Sequence, residues 1–227
     1  MGLGTKLAEG LLEMVYPTRC AGCDLPGGVL CDECRARIAF IEAATACSRC
    51  GAPFGWLICT ECWDRELAFS QAVSVGTLEH PLSRAVTVYK DAGERRLAGT
   101  LAELLAQAVE PWRDWASVVT YVPATARARN RRGFDHAAEI SATLASALVV
   151  PHATLLTRRR ALDQRLLGRL ERLSNAEGTF EAIASVQGDV LLVDDVLTTG
   201  ATVQDAARAL REAGADEVRV VTVARAW

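Results

Sequence analysis

Eight cysteines constrain the fold of this chain more than any other feature. All of them belong to C-x-x-C pairs within one short segment: Cys20/Cys23, Cys31/Cys34, Cys47/Cys50 and Cys59/Cys62. Two-residue spacing lets both thiolates of a pair turn toward one ion, and two pairs complete the tetrahedral four-sulfur shell that zinc prefers. The pattern therefore predicts two structural Zn²⁺ ions, with these eight cysteines as the metal ligands.

The same cysteines permit other arrangements. A disulfide framework is disfavoured because the N-terminal residues lack the basic start and the cleavage site of a signal peptide. A redox C-x-x-C needs one pair rather than four, and an iron–sulfur cluster remains an alternative. Sequential pairing gives two compact sites, whereas interleaved pairing would cross the linker at residues 35–46 twice. Sequential pairing is simpler, but the spacing leaves both open.

The cysteine-rich segment is too short to fold on hydrophobic burial alone. Metal binding should therefore supply its folding free energy, and we expect its role to be structural. Docking of a partner or of nucleic acid is the alternative. Its few arginines are offset by many acidic residues, which disfavours direct reading of DNA.

The composition indicates a globular, cytoplasmic protein. Half of the 227 residues are apolar, which is enough for one substantial core and a small accessory domain. No apolar run approaches the roughly 18 residues of a membrane span. The net charge of −3 argues against a generally cationic nucleic-acid binder, yet residues 121–175 hold ten arginines and four acidic residues. That local excess of positive charge suits a polyanionic ligand, and a solvated arginine face is the alternative.

After Trp63 the cysteines end, and helical and strand-like patterns alternate. We predict a boundary here, with residues 1–66 forming an N-terminal helix and a double zinc ribbon, and residues 67–227 forming a second domain. Apolar residues at helical spacing predict helices at residues 81–89, 94–109, 137–148 and 201–213. Short apolar runs predict buried parallel strands at residues 118–122, 154–156, 190–193 and 218–223. This alternation is typical of a doubly wound, mostly parallel α/β domain.

The stretch VLLVDDVLTTGAT, residues 190–202, places two carboxylates directly after a predicted strand. In open parallel sheets the ligand lies beyond the carboxyl ends of the strands. The loop that follows presents backbone N–H groups, hydroxyls and a helix N-terminus to one point, as a phosphate cradle does. Its residues are Thr198, Thr199, Gly200, Ala201 and Thr202. Asp194 and Asp195 beside such a cradle suit the hydroxyls of a ribose phosphate, and a solvated aspartate pair is the alternative.

Two common nucleotide motifs are excluded at this loop. It lacks the glycine and lysine spacing of a Walker A motif and the G-x-G-x-x-G of a dinucleotide fold. Instead, the stretch resembles the 5-phosphoribosyl-1-pyrophosphate (PRPP) signature of the type I phosphoribosyltransferases, in which four apolar residues and two acids precede a Thr-Thr-Gly loop.

Nearly the whole chain resembles the competence-associated ComF family, in which a cysteine-rich zinc domain precedes a phosphoribosyltransferase domain. The resemblance also covers VYKDAGERRLAGTLA at residues 88–102, YVPATARARNRRGFDHA at residues 121–137, and polar residues between Gln164 and Phe180. The family usually shows Arg-Gly-Phe-Asn-Gln where this chain has Asp135 and His136 at the last two positions. We expect Asp135 to cap a helix and His136 to be a surface or capping residue.

The resemblance implies Mg²⁺–PRPP as the ligand. The pyrophosphate would bind at the turn at residues 122–125, which includes Pro123 and Ala124, through backbone N–H groups and guanidinium forks. The flanking arginines are Arg127, Arg129 and Arg132. Asp194 and Asp195 would be the catalytic residues, with their carboxylates near an oxocarbenium-like ribose. The Mg²⁺ would be held mainly by oxygens of the ligand and by water. Residues 158–175 would form a mobile lid, and an ordinary surface helix and loop is the alternative.

Three functions follow from the resemblance. The leading one is transfer of phosphoribose from Mg²⁺–PRPP to an unidentified nitrogen acceptor, in a role linked to DNA uptake during competence. The second is a non-catalytic PRPP sensor that docks on competence proteins or on the machinery importing single-stranded DNA. The third is a salvage or amidophosphoribosyl-type enzyme. A salvage enzyme should offer an aromatic side chain that stacks on a nucleobase, for which the candidates are Tyr89, Phe134 and Phe180.

Overall fold

The computed structural model describes residues 17–159 and 178–226. The strands within these residues are Gln71–Thr77 (β1), Val118–Tyr121 (β2), Leu156–Arg158 (β3), Phe180–Ala182 (β4), Asp189–Leu197 (β5) and Glu217–Arg225 (β6). The α-helices are Asp32–Ala36 (α1), Leu82–Asp91 (α2), Leu97–Ala108 (α3), Ala126–Arg132 (α4), His136–Leu148 (α5) and Ala201–Glu212 (α6). Short 3₁₀ helices lie at Thr60–Cys62 and Glu110–Trp112.

Four strands form a parallel sheet in the order β1-β6-β5-β2. The alternating side chains of β5 show how both faces are covered. Leu191 and Val193 pack into a core that contains α2, α3 and α5, whereas Val190 and Leu192 pack into a second core that contains α6. Helices on both faces of a parallel sheet confirm the predicted doubly wound α/β architecture.

Helix α3 shows why the helical predictions were accurate. Leu97, Leu101, Leu104 and Leu105 are at most 1% exposed, so one face of the helix is buried along its length. The predicted helices at residues 81–89, 137–148 and 201–213 likewise correspond to α2, α5 and α6 within one or two residues at each end. Spacing of 3.6 residues is a strong signal because burial of one continuous face stabilises the helix.

Two strand predictions needed correction, and one strand was not predicted. The predicted parallel strand at residues 154–156 is wrong, because β3 begins at Leu156 and pairs antiparallel with β4 in a separate two-stranded sheet. The fourth parallel strand is β1, whose mixed sequence QAVSVGT lacks a continuous apolar run. Strand β5 ends at Leu197 rather than at Val193. Both acids of the motif therefore lie inside the strand and not after it.

The cysteines form two clusters in sequential order, which confirms the simpler of the two pairings. We call the segment that holds the first cluster ribbon 1 and the segment that holds the second ribbon 2. Ribbon 1 contains Cys20, Cys23, Cys31 and Cys34, and ribbon 2 contains Cys47, Cys50, Cys59 and Cys62.

Ribbon 2 and the linker between the two ribbons are attached to the outer edge of the sheet along β1. The N–H of Ile41, between the ribbons, donates to Val75 O at 3.1 Å, and the N–H of Ala72 donates to Arg49 O of ribbon 2 at 2.8 Å. Gly51 has a positive φ of 66°, and a Cβ at this position would lie 2.5 Å from Ala72 O. Ribbon 2 therefore approaches β1 so closely that only glycine fits there.

Across residues 17–159 and 178–226, no helix has the length and apolar character needed to cross a membrane.

Candidate functional site

The two cysteine clusters have the geometry of zinc sites. In each cluster the four sulfur atoms lie within 4.8 Å of one another. The Sγ atoms of Cys23 and Cys31 are 3.8 Å apart, and those of Cys50 and Cys59 are 3.6 Å apart. A tetrahedral shell with zinc–sulfur bonds of about 2.3 Å places its sulfur atoms about 3.8 Å apart. Both ribbons therefore fit a four-sulfur zinc ion.

Backbone donors prepare one thiol in each ribbon for metal binding. The N–H groups of Gly22 and Cys31 each lie 3.3 Å from Cys20 Sγ. Burial opposes ionisation of Cys20, but backbone hydrogen bonds outweigh it and lower the pKa of this thiol to about 6. In ribbon 2, backbone donors that include Cys59 likewise outweigh burial and lower the pKa of Cys47 to about 6. The ionised thiolate is the form that binds zinc.

The second acid of the motif, Asp195, is buried on the face of β5 that carries α2 and α5. It is 5% exposed, and its carboxylate contacts Lys90 Nζ of α2 and, at 2.9 Å, His136 Nε2 of α5. Burial opposes ionisation, but His136 and Lys90 outweigh it and lower the pKa of Asp195. The expectation that His136 lies at the surface is therefore wrong, because this side chain joins α5 to the sheet.

The first acid, Asp194, is half-buried, and one of its oxygens accepts the N–H of Asp195 at 2.9 Å. Burial and the negative charge of Asp195 raise the pKa of Asp194. The register of β5 with β6 skips Asp195, and the alternation of side chains shifts here, because Val193 and Val196 pack on the same core. The two acids that the sequence pairs thus have different surroundings.

His136, Asp194 and Asp195 place possible ligand atoms within 4.8 Å of one another. These residues do not fit a resident divalent cation, because Lys90 already neutralises Asp195 and both His136 ring nitrogens have neighbours. Nε2 lies against Asp195, and Nδ1 lies 3.2 Å from an Arg132 guanidinium nitrogen.

The predicted phosphate cradle joins β5 to α6. Gly200 has a φ of 78°, in the left-handed region, and directly precedes the first turn of the 12-residue helix. Thr199 Oγ1 accepts the N–H of Ala201 at 3.4 Å, and Thr198, Thr199 and Thr202 are exposed. The loop therefore brings backbone donors and exposed hydroxyls to the carboxyl end of β5, close to the acids in sequence.

A second group of cations lies between the end of α2 and the end of α4. A cavity of about 480 Å³ is lined by Lys90, Asp91, Ala92, Gly93, Arg131 and Arg132. Arg132 is largely buried, donates to Asp91 Oδ1 at 3.1 Å, and has a buried Nε without a hydrogen-bond partner among the described residues. Lys90 contacts Asp195, and Arg131 and Arg132 both contact Asp91, so three cations face two carboxylates. The remaining positive charge makes this cavity suitable for an anion.

The turn predicted for pyrophosphate is partly occupied by the protein itself. The N–H of Ala124 donates to Asp135 Oδ2 at 2.9 Å, and the other oxygen of Asp135 accepts the N–H of Ala138 at 3.4 Å. Asp135 thus caps α5, as expected. Pro123 is buried, whereas Arg127 is exposed on α4, a helix where the sequence indicated only a turn.

Family comparisons agree with this arrangement. The model of the double zinc ribbon domain matches residues 11–63, and the model of the phosphoribosyl transferase domain matches residues 132–226. DNA utilization protein YhgH of Salmonella typhi is 30% identical over 93% of this chain and 99% of its own length. The chain belongs to the ComF family.

Two further relatives of this ComF-family chain carry competence names. Competence protein F of Haemophilus influenzae is 28% identical over 87% of this chain and 90% of its own length. Competence protein ComFC of Streptococcus pneumoniae is 26% identical over 73% of this chain and 76% of its own length.

Several side chains at this ComF site were not singled out from the sequence. Arg158, at the end of β3, donates from Nε to Pro123 O at 2.8 Å and covers the ring of Phe180 at 4.6 Å. Lys90 lies inside a segment that carries the family resemblance, but only the tertiary structure shows that it meets Asp195. Asp205 of α6 accepts the N–H groups of Gly178, Thr179 and Phe180. It thereby anchors the start of β4.

The remaining expectations concern the lid and the stacking aromatics. Most of the predicted lid, residues 160–175, lies outside the described residues. Tyr89, Phe134 and Phe180 are all buried, and Tyr89 packs edge-on against Phe134 with ring centroids 5.6 Å apart. None of the three presents a free face to a nucleobase.

Proposed function

We propose that this chain binds Mg²⁺–PRPP and transfers its phosphoribosyl group to a nitrogen acceptor, in a role linked to the use of DNA. The observation that carries the proposal is the presence of three features near the carboxyl end of β5. These are the half-buried Asp194, the Gly200 loop at the start of α6, and the cationic cavity at Arg132. Together they match a ribose, its 5′-phosphate and a pyrophosphate.

Each part of PRPP has a chemical partner in this arrangement. The Gly200 loop offers backbone N–H groups and threonine hydroxyls to the 5′-phosphate. Asp194 accepts hydrogen bonds from ribose hydroxyls, and Asp195 remains a positioning residue because Lys90 and His136 enclose it. Lys90, Arg131 and Arg132 receive the pyrophosphate. When bound, Mg²⁺ would neutralise the departing pyrophosphate oxygens and would be held mainly by the ligand and water.

A PRPP sensor is the second candidate, and features of ribbon 2 favour it. Arg65, just after the last cysteine, donates to Thr199 O at 3.4 Å, so ribbon 2 touches the proposed phosphate loop. Phe54, Trp56, Leu57 and Trp63 of the same ribbon are each more than two-thirds exposed. The exposed apolar surface of ribbon 2 would be the docking surface for a competence protein or for a complex with single-stranded DNA. Its contact with the loop would make this docking depend on whether PRPP is bound.

Calorimetric titration with Mg²⁺–PRPP tests the binding site. We expect saturable binding, and we expect Gly200→Val to weaken it at least about tenfold. A branched residue is strained at this φ by about 1–3 kcal/mol, and its side chain would occupy the space of the phosphate. Asp194→Asn should also weaken binding, because one ribose acceptor is lost. Unaltered affinity in a correctly folded Gly200→Val protein would contradict the phosphate assignment.

Pyrophosphate release then separates enzyme from sensor. The assay would use Mg²⁺–PRPP with ammonia, amines, purine and pyrimidine bases, and single-stranded oligonucleotides. Release with at least one nitrogen acceptor would establish the transferase. Normal PRPP binding without release from any acceptor would favour the sensor, and no PRPP binding would contradict both.

Asp135→Asn should tighten PRPP binding. The carboxylate of Asp135 sits on the N–H of Ala124, in the turn predicted for pyrophosphate, and repels an anion there. An amide oxygen can still cap α5. Removing one unit of like charge about 4 Å away in a watery site is worth about 1 kcal/mol, which corresponds to about fivefold in affinity.

The control for this change is Asp114→Asn. Asp114 is exposed and precedes β2, so it lies toward the amino ends of the parallel strands. Asp114→Asn removes the same charge at a position outside the site, so the PRPP affinity of this variant should stay unchanged. Equal affinity gains in both variants would indicate a general charge effect and would contradict a local role for Asp135.

A further inference from the structure

Two cations of the cavity at the ends of α2 and α4 rest on a pair of buried side chains. Lys90 and Arg132 line the cavity, whereas Asp195 and His136 do not. Lys90 Nζ contacts the carboxylate of Asp195, and a guanidinium nitrogen of Arg132 lies 3.2 Å from His136 Nδ1. Asp195 and His136 contact each other at 2.9 Å. The histidine and the aspartate therefore form a layer behind the two cations.

The contact with Arg132 determines where the imidazole of His136 carries its proton. A guanidinium stays protonated and offers only donors, so Arg132 donates and His136 Nδ1 accepts. An imidazole that accepts at Nδ1 is neutral and carries its single proton on Nε2. Nε2 is the nitrogen that faces Asp195, and an ionised carboxylate offers only acceptors. The ring therefore presents a donor to the acid and an acceptor to the arginine.

Burial makes the ring depend on these two partners. His136 is 7% exposed, so water contributes little at either ring nitrogen. Tyr89 Oη donates at 3.0 Å to the backbone oxygen of His136, and the carboxylate of Asp135 caps α5. Loss of Asp195 or Arg132 would leave a buried polar atom of the ring unpaired, which is unfavourable.

Arg132 is held at two points by the protein. One amino nitrogen donates to His136 Nδ1, and the other donates to Asp91 Oδ1 at 3.1 Å. A guanidinium has five N–H groups in one plane, so each of these amino nitrogens keeps a second N–H. Two anchors fix the plane and with it the direction of the remaining N–H groups. A fork fixed in this way is pre-organised for an anion in the cavity that Arg132 lines.

A glutamine can make the same two contacts as the neutral ring of His136. The ComF family usually shows glutamine at this position. Its amide nitrogen donates, as Nε2 does, and its amide oxygen accepts, as Nδ1 does. The histidine of this chain therefore keeps the hydrogen-bonding pattern of the family residue, whereas leucine would offer neither a donor nor an acceptor.

We propose that His136 is a positioning residue that holds the guanidinium of Arg132 in place for the pyrophosphate, while Asp195 fixes the ring. His136 acts through Arg132 and does not touch the ligand. This role rests on the proposed transferase function and deepens it, because it adds a residue to the binding of the leaving group.

The position of the ring proton tests the hydrogen bonds directly. The chain has three histidines, and replacing each of them by glutamine assigns its signals in ¹H–¹⁵N correlation spectra of the labelled protein. At neutral pH we expect His136 to show a proton on Nε2 and a bare Nδ1. A proton on Nδ1, alone or together with one on Nε2, would overturn the proposal, because Arg132 would then have no acceptor on the ring.

Calorimetric titration with Mg²⁺–PRPP measures the effect on the ligand. His136→Leu should weaken binding at least about tenfold, because a hydrogen bond to a charged group is worth about that factor or more. His136→Gln should stay within about threefold of the parent, since the amide keeps both contacts. A larger loss in a folded His136→Gln protein would overturn the proposal. If thermal unfolding shows that His136→Leu is not folded, the ring proton and the glutamine variant decide.

A double-mutant cycle separates positioning from general support of the fold. In a protein that already carries Arg132→Ala, adding His136→Leu should cost less than about threefold in PRPP affinity, because the residue through which His136 acts is absent. Losses that multiply, as they do for independent sites, would overturn the role of His136.

His152→Gln is the matched control. His152 is exposed, and its Nε2 lies 2.9 Å from Ser141 Oγ of the same helix α5. This variant should bind PRPP as the parent does. Equal losses in His152→Gln and His136→Leu would indicate a general effect on α5 and would overturn the proposal.

The parent chain shows which of the two proposals fails. If it does not bind Mg²⁺–PRPP, the proposed function is contradicted, and the role of His136 falls with it. If the parent binds and a folded His136→Leu protein binds equally well, only the role of His136 is overturned.

Discussion

Cys47→Ser should release one of two zinc ions per chain and leave the other bound. The four sulfur atoms of ribbon 2 form a closed cluster that shares no cysteine with ribbon 1. A structural zinc ion contributes about 10–16 kcal/mol of apparent binding free energy in small domains. Loss of one thiolate therefore removes the main source of folding free energy from ribbon 2. Elemental analysis after dialysis measures the zinc content.

Cys31→Ser is the reciprocal variant and should release the other zinc ion, with a larger effect on global stability. Cys20, Cys34 and Ile38 of ribbon 1 share one core with α2, α3 and the sheet, whereas the cysteines of ribbon 2 form a small separate cluster. Thermal unfolding should therefore shift more for Cys31→Ser than for Cys47→Ser. Loss of both ions in Cys47→Ser, or iron in the purified protein, would contradict two independent zinc sites.

The zinc centres could be predicted almost completely from the sequence. Ligands two residues apart bind one ion through local geometry, and both sites involve short segments whose cysteines are near in sequence. The loop from β5 into α6 was predictable for the same reason, since residues 198–202 are contiguous and include the start of the helix. Its phosphate-binding role stays a prediction. In both motifs the geometry is set by residues that are close together in the sequence.

The different surroundings of Asp194 and Asp195 could not be predicted in this way. Aspartate is disfavoured in strands, so the end of the apolar run at Val193 looked like the end of β5. The strand continues because Asp195 meets Lys90 and His136, which are more than 50 residues away in the chain. A long-range contact of this kind overrides local propensity. It also explains why His136 is buried rather than exposed.

Strand β1 was missed for a related reason. Ser74 Oγ and Thr222 Oγ1 lie 2.7 Å apart in the sheet interior, where one hydroxyl donates to the other, and Thr222 Oγ1 also lies 3.3 Å from Ala224 O. A buried hydroxyl pair interrupts the apolar pattern that marks an internal strand, yet it costs little when both groups are bonded. Only the partner strand β6 makes the polar residue of β1 compatible with burial.

Asp195→Asn should lower the free energy of unfolding by about 3–5 kcal/mol, the usual result of removing one partner from a buried ion pair. The change leaves Lys90 without its carboxylate in a largely enclosed position, where its charge is poorly solvated. Asp194→Asn is the matched control, and its expected effect is small or of opposite sign. The pKa of Asp194 is raised by burial and by Asp195, so its charged form is already disfavoured in the folded state.

The dependence on pH gives a second measure of the same contact. The pKa of Asp195 is lower in the folded chain than the value of about 3.9 for an unfolded aspartate. Its stabilising contribution is therefore present above about pH 4 and is lost as the pH falls through the folded pKa. Urea unfolding at pH 7 should separate the two asparagine variants, and the Asp195→Asn protein should lose less stability on acidification than the parent. Equal losses in both variants at pH 7 would mean that Asp195 is not the acid that ties α2 and α5 to the sheet.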